Sequence, residues 1–270
     1  MGQFSVITGT DVSLTDNIAT EIGNRFSIAI SGEEINLRTK SDNETTKLAN
    51  ILTKVIVDEY ENKILLKLIE QNYCYFTKPE KRRIYKIALK YLISDEDMMH
   101  SYMQKRRYDM ICDKLSEYMN SSSSIVIDGF VNFRLKEYEG ELQEIITKAV
   151  DDFVIEREYN EFIAVLKYFT QLQEPKYVTM HILPHSNGQY SFFDEKKVDI
   201  TDVCTQQFSV EDDDLILKSD DLLLSILIST SPSKIIFHKS DTVKNREIVK
   251  TINAVFGKRI VKCDKCDVCK

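Results

Sequence analysis

The residues whose types and spacing could do chemistry crowd the end of the chain, where Cys263, Cys266 and Cys269 repeat at three-residue steps within the last eight positions. Two thiolates separated by two residues can turn onto one ion, which is why this step recurs in zinc and iron–sulfur sites. A closed zinc site takes four ligands, so a fourth must come from elsewhere. His238 is the candidate. If Ile235–His238 and Ile260–Val261 are neighbouring parallel strands, both leave the sheet at one edge, and the imidazole emerges beside the first thiol. The pattern therefore predicts a metal site of Cys263, Cys266, Cys269 and His238 holding zinc, with an iron–sulfur or dimer-shared site as variants. The alternative is a terminal tail of reduced thiols.

Other clusters have simpler readings. His181 and His185 are read as an ordinary strand residue and a turn residue, because no nucleophile or second carboxylate is tied to them by spacing. Asp151, Asp152, Glu156, Glu158 and Glu161 crowd one helical stretch. A carboxylate metal site in a bundle also needs a Glu-x-x-His step, and that stretch has no histidine; Arg157 and Glu161 suit an i,i+4 ion pair instead. Glu211–Asp214 lacks the alternation and glycine of a calcium loop and reads as an exposed acidic turn. Two basic clusters, Lys81-Arg82-Arg83 with Lys78 and Lys86, and Lys105-Arg106-Arg107, suggest an acidic partner or nucleic acid. Glu80, Asp109 and Asp113 interrupt them, so they are read as solvated helix faces.

The elements that must position the tail follow from periodicity. Ile235–His238, a helix from about Lys244 through Ile248, Ile252 and Val255-Phe256, a stop at Gly257 and a strand at Ile260-Val261 form a strand–helix–strand crossover, which makes its strands parallel. Ahead of it, Val178–Leu183 and Tyr190–Phe193 read as strands around a turn, and Asp220–Ser229 as a strongly apolar helix. From Leu135 to Leu172 apolar residues recur at three- and four-residue steps until Pro175, which predicts one long helix or two nearly collinear ones. Earlier, helical period runs from Thr46 to about Asn72. A second helix opens near Pro79, where proline suits the first turn, and a third follows the capping run Ser94–Asp97. The first forty residues read as a small βαββ unit that must dock on something later in the chain.

The expected fold class is α+β: a βαββ unit over 1–40, a helical region over 43–174 with the long helix at about 135–173, an α/β module over 176–262, and the cysteine tail over 263–270. At 270 residues the chain has room for one large domain or two modest ones. A net charge of −7 argues against a dedicated nucleic-acid binder. No apolar run approaches the ~20 residues of a membrane span. Met1–Val6 matches neither a secretory signal nor a myristoylation site, so the expected address is the cytoplasm, where crowded thiols point to metal or redox chemistry rather than to disulfides.

Val131–Tyr138, Glu158–Ile163, Asp221-Leu222-Leu223 and Ser231–His238, followed by Phe256–Ile260 and the three terminal cysteines, resemble the YtxC family of spore-forming Firmicutes. Lys265 stands where that family often carries glycine. The resemblance implies a cytosolic role in endospore formation and brings no catalytic residue. The expectation is a protein without demonstrated enzyme activity that acts in sporulation through a protein partner, with a metal-dependent or redox protein as the alternative and nucleic-acid binding as a weaker one.

Overall fold

The opening apolar runs form strands in the computed structural model of the chain, which describes residues 2–8, 12–23, 25–39, 42–93, 98–208, 219–263 and 266. The chain divides into two units, Met1–Ile155 and Glu156–Lys270. The fold class is α+β, with strands at the start, a helical core and the cysteine-rich end.

In the first unit, β1 (Gly2–Ile7), α1 (Val12–Gly23), β2 (Ile28–Ser31) and β3 (Glu34–Thr39) form the βαββ arrangement. The β2–β3 hairpin closes over Gly32-Glu33, with Gly32 at φ 65°, a conformation that glycine adopts without steric cost. Then come α2 (Asp42–Asn72), α3 (Lys78–Ile93) and α4 (Met98–Ser121). At the start of α3, Thr77 donates from its backbone N–H and its hydroxyl to Glu80 at 2.8 and 2.7 Å, half of the reciprocal capping arrangement that fixes a helix start. The expected cap at Ser94–Asp97 lies outside the described residues.

The serine-rich stretch leads into a strand that the sequence reading passed over: β4 (Ser124–Val126) pairs parallel with β1, giving the sheet order β2-β3-β1-β4. A three-residue strand has no periodicity of its own to read. Its partner β1 supplies the hydrogen bonds, and buried Ile125 anchors it in the core. α5 (Ile127–Arg134) follows as a separate helix, and Leu135 interrupts the path before α6 (Lys136–Leu172), one 37-residue helix. Within the first unit α6 buries Tyr138, Leu142, Ile146, Ala149 and Phe153 beside Leu52, Ile56 and Leu65 of α2 and Ile111 and Leu115 of α4.

The second unit takes the remainder of α6, then β5 (Thr179–Pro184), β6 (Tyr190–Phe193), α7 (Thr201–Gln206), α8 (Ser219–Thr230), β7 (Lys234–Phe237), α9 (Arg246–Phe256) and β8 (Ile260–Lys262). Its sheet runs β6-β5-β7-β8; β5 and β6 are antiparallel, while β5, β7 and β8 are mutually parallel. The helix of the crossover is strongly one-sided: Ile248, Ile252, Val255 and Phe256 are buried in one cluster with Ile235 and Phe237 of β7. Asn245 caps α9 by accepting from the N–H of Glu247 at 3.1 Å. From α6, Ile163 joins this cluster, and the carbonyl of Thr170 accepts from the Ser231 hydroxyl at 2.7 Å. Phe162, Val165, Phe169 and Leu172, apolar positions of the same helix, are exposed. The acidic turn Glu211–Asp214 lies outside the described residues.

Candidate metal centre

Strand register decides which side chains meet at the edge of the second sheet. Phe237 stands opposite Lys262 in the parallel β7–β8 pair, so the next residues, His238 and Cys263, leave the sheet side by side. The N–H of Cys263 still donates to the carbonyl of Phe237, at 3.3 Å. On the other side of β7, Ile236 stands opposite His181 of β5. Because side chains alternate across a strand, Ile236 and His238 share a face with His181, while Ile235 and Phe237 turn to the opposite one. One face of the sheet edge thus carries His181, His238 and Cys263.

The thiol of Cys266 returns to the same place. Its Sγ lies 3.5 Å from Nδ1 of His238, and the ligand atoms of His238, Cys263 and Cys266 all fall within 4.8 Å of one another. Two ligands bound at 2.0–2.3 Å to a tetrahedral zinc would stand roughly 3.3–3.8 Å apart, so the sulfur–nitrogen separation already matches such an ion. Cys269, the remaining expected ligand, lies outside the described residues. Elsewhere, Cys74, Cys112 and Cys204 are free thiols. His238 is fully buried, and Cys263 and Cys266 are half-buried. Soft thiolates with an imidazole suit zinc or an iron–sulfur cluster and are poorly matched to calcium or magnesium.

His181 is the residue that sequence reasoning undervalued. It is 8% exposed, and its Nδ1 lies 2.9 Å from Nε2 of His238. Burial holds the His238 imidazole below the ordinary value, with His181 and Lys197 adding to the effect. Burial, followed by Lys197, does the same for His181, against an opposing pull from Asp194. A neutral ring keeps one lone pair available, the form that a metal ligand requires. The available signal was the register: two histidines on facing parallel strands, an even number of residues from a registered pair.

The other clusters sit as ordinary surface and core groups. His185 bonds the Ser191 hydroxyl at 2.7 Å across its hairpin. Arg157 and Glu161 form their i,i+4 ion pair at 3.7 Å. In the basic runs, Lys81 pairs with Glu70 and Arg106 with Glu141, at 2.5 and 2.6 Å. Arg107, read as part of a solvated face, is instead buried against Glu61 at 3.4 Å. Four-residue steps from Arg107 to Ile111, Leu115 and Met119 place it on the inward stripe of α4, a signal masked by the charge run around it. No helix among the described residues is long and apolar enough to cross a membrane.

These two α+β units, the second closing on a cysteine–histidine edge, define the class of protein. The YtxC-like family model matches residues 46–261, and the chain belongs to that family. It is 25% identical over 214 residues to the uncharacterized protein YtxC of Bacillus subtilis (strain 168), an alignment covering 78% of this chain and 74% of the relative. No solved structure matches it.

Proposed function

We propose that this chain is an interaction or regulatory protein of endospore formation, acting in the cytoplasm, whose second unit is closed by a structural zinc ion held by Cys263, Cys266, Cys269 and His238. The zinc reading rests on one observation above all: an imidazole and two thiols far apart in sequence have their ligand atoms within 4.8 Å of one another. A zinc there would tie the tail beyond β8 to the end of β7 and stabilise an edge strand of only three residues. The sporulation role rests on the family resemblance.

Metal analysis of protein purified without a histidine tag tests the zinc reading. One zinc per chain, and a fall in melting temperature on chelation, are expected. Sub-stoichiometric zinc and iron, with no thermal shift on chelation, would overturn it. A yellow-brown preparation with visible absorbance would replace zinc by an iron–sulfur cluster, which the same soft donors favour. Capture of a defined partner from sporulating cells, lost when the second unit is deleted, tests the interaction role.

A further inference from the structure

We propose that His181 is the positioning residue of this centre, selecting through one hydrogen bond the nitrogen that His238 presents to the metal. The inference rests on the zinc reading and deepens it. The two imidazoles are nearly parallel, with 13° between their planes and 5.2 Å between centroids. Their nitrogens are 2.9 Å apart. That separation plus one ring radius on either side accounts for the whole centroid distance, so the nitrogens lie on the line joining the rings. The rings meet edge to edge, in the geometry of a hydrogen bond directed along a lone pair.

Both nitrogens of His238 are thereby assigned. Nδ1 faces the sulfur of Cys266 at 3.5 Å, and Nε2 faces Nδ1 of His181. For Nδ1 to give its lone pair to zinc, the single ring proton must sit on Nε2, from which it is donated to Nδ1 of His181. His181 then carries its own proton on Nε2. Nothing is oxidised and no proton leaves the pair: with zinc on the Nδ1 lone pair, the hydrogen bond holds the ring proton on the opposite nitrogen. The alternative tautomer, with the proton on Nδ1 of His238, would point an N–H at the metal. Outer partners of this kind fix ligand orientation and raise ligand basicity. Here the partner is another imidazole rather than the more usual carboxylate or carbonyl. It is held in place by the register of β5 on β7, so the sheet sets which nitrogen turns toward the thiols, and metal binding then selects the tautomer of the pair.

The test is zinc affinity of the full-length chain, measured by competition with a chromogenic chelator, for wild type, His181→Phe and His181→Asn. Phenylalanine keeps a ring but offers no acceptor; asparagine places an amide oxygen near the position of Nδ1. His181→Phe should bind zinc about 10–100-fold more weakly, and His181→Asn should recover most of the loss. Binding by His181→Phe within twofold of a zinc-binding wild type overturns the role of His181 and leaves the zinc reading intact. Failure of wild type itself to bind zinc overturns the zinc reading. A second measurement needs no variant: nitrogen NMR of zinc-loaded, histidine-labelled protein should show His238 metallated at Nδ1, its Nε2–H coupled across the hydrogen bond to His181. Metallation at Nε2, or absence of that coupling, refutes the proposal.

Discussion

Replacing Arg107 with methionine should destabilise the first unit far more than its place in a run of basic residues suggests. Arg107 of α4 is 5% exposed, and its Nε lies 3.4 Å from Oε1 of Glu61 on α2. The same carboxylate oxygen accepts from the hydroxyl of fully buried Tyr138 on α6, at 2.6 Å. Burial, with the Glu61 charge adding to it, pushes the Tyr138 hydroxyl well above the ordinary phenol range, so it stays a donor at all working pH values. At that distance, with an effective dielectric near 20, the gross attraction between cation and carboxylate is about 5 kcal/mol. Most of it offsets desolvation, so the intact pair contributes little net stability. Removing only the cation leaves the carboxylate buried with one neutral donor, and such breaks cost about 3–5 kcal/mol. Urea unfolding followed by hydrogen exchange of α2 and α4 amides, which reports the first unit separately, should show that loss as a lower midpoint. The triple variant Glu61→Leu, Arg107→Met, Tyr138→Phe leaves no orphaned polar group and should regain most of it. A loss below about 1 kcal/mol, the range of exposed pairs, would refute the reasoning. An equal loss in the triple variant would place the cost in packing instead.

Cys263→Ser and Cys266→Ser should each abolish stoichiometric zinc and the stabilisation it brings, which in the parent reaches about 2.7 kcal/mol when free zinc is a hundredfold above its dissociation constant; scanning calorimetry with and without zinc reads this. Gly257 sits at φ 52° and ψ −116° with open space where a Cβ would lie, so Gly257→Ala should cost about 1–3 kcal/mol from backbone strain alone, read as a lower unfolding midpoint of the second unit. Asn245→Ala, which removes the cap of α9, should cost about 1 kcal/mol by the same measurement. The zinc-free protein should lose second-unit stability as pH falls below 6.5, the ordinary imidazole value. His181 and His238 are held lower in the folded state, so the unfolded chain takes up protons first and acid favours it; a flat pH profile of hydrogen exchange in β5 and β7 between pH 7 and 5 would contradict this.

Much of the candidate centre was legible before any coordinates, because its determinants are local. Three thiols at fixed steps, a strand–helix–strand pattern with Gly257 at its turn, and a histidine at the end of the first strand are all readable from spacing. Parallel crossovers bring equivalent strand ends together, so the meeting of His238 with Cys263 followed from chain order. The long helix was legible for the same reason: from Tyr138 to Phe153 its apolar residues keep helical period over four turns.

What resisted reading depended on partners distant in sequence. β4 exists because β1 offers it hydrogen bonds, not because Ser124-Ile125-Val126 has a pattern of its own. Arg107 turns inward because the Glu61 carboxylate, itself bonded by Tyr138, offsets a charge that would otherwise be too costly to bury. His181 gains its place from the register of β5 on β7, and a one-residue slip would turn it to the opposite face. The sequence by itself therefore determined the steps between the candidate thiols and the elements that precede them, since both are properties of short spacings. Only the tertiary structure decided which nitrogen of His238 faces the sulfurs and which cation is buried, because those outcomes depend on contacts between strands and helices that no local spacing encodes.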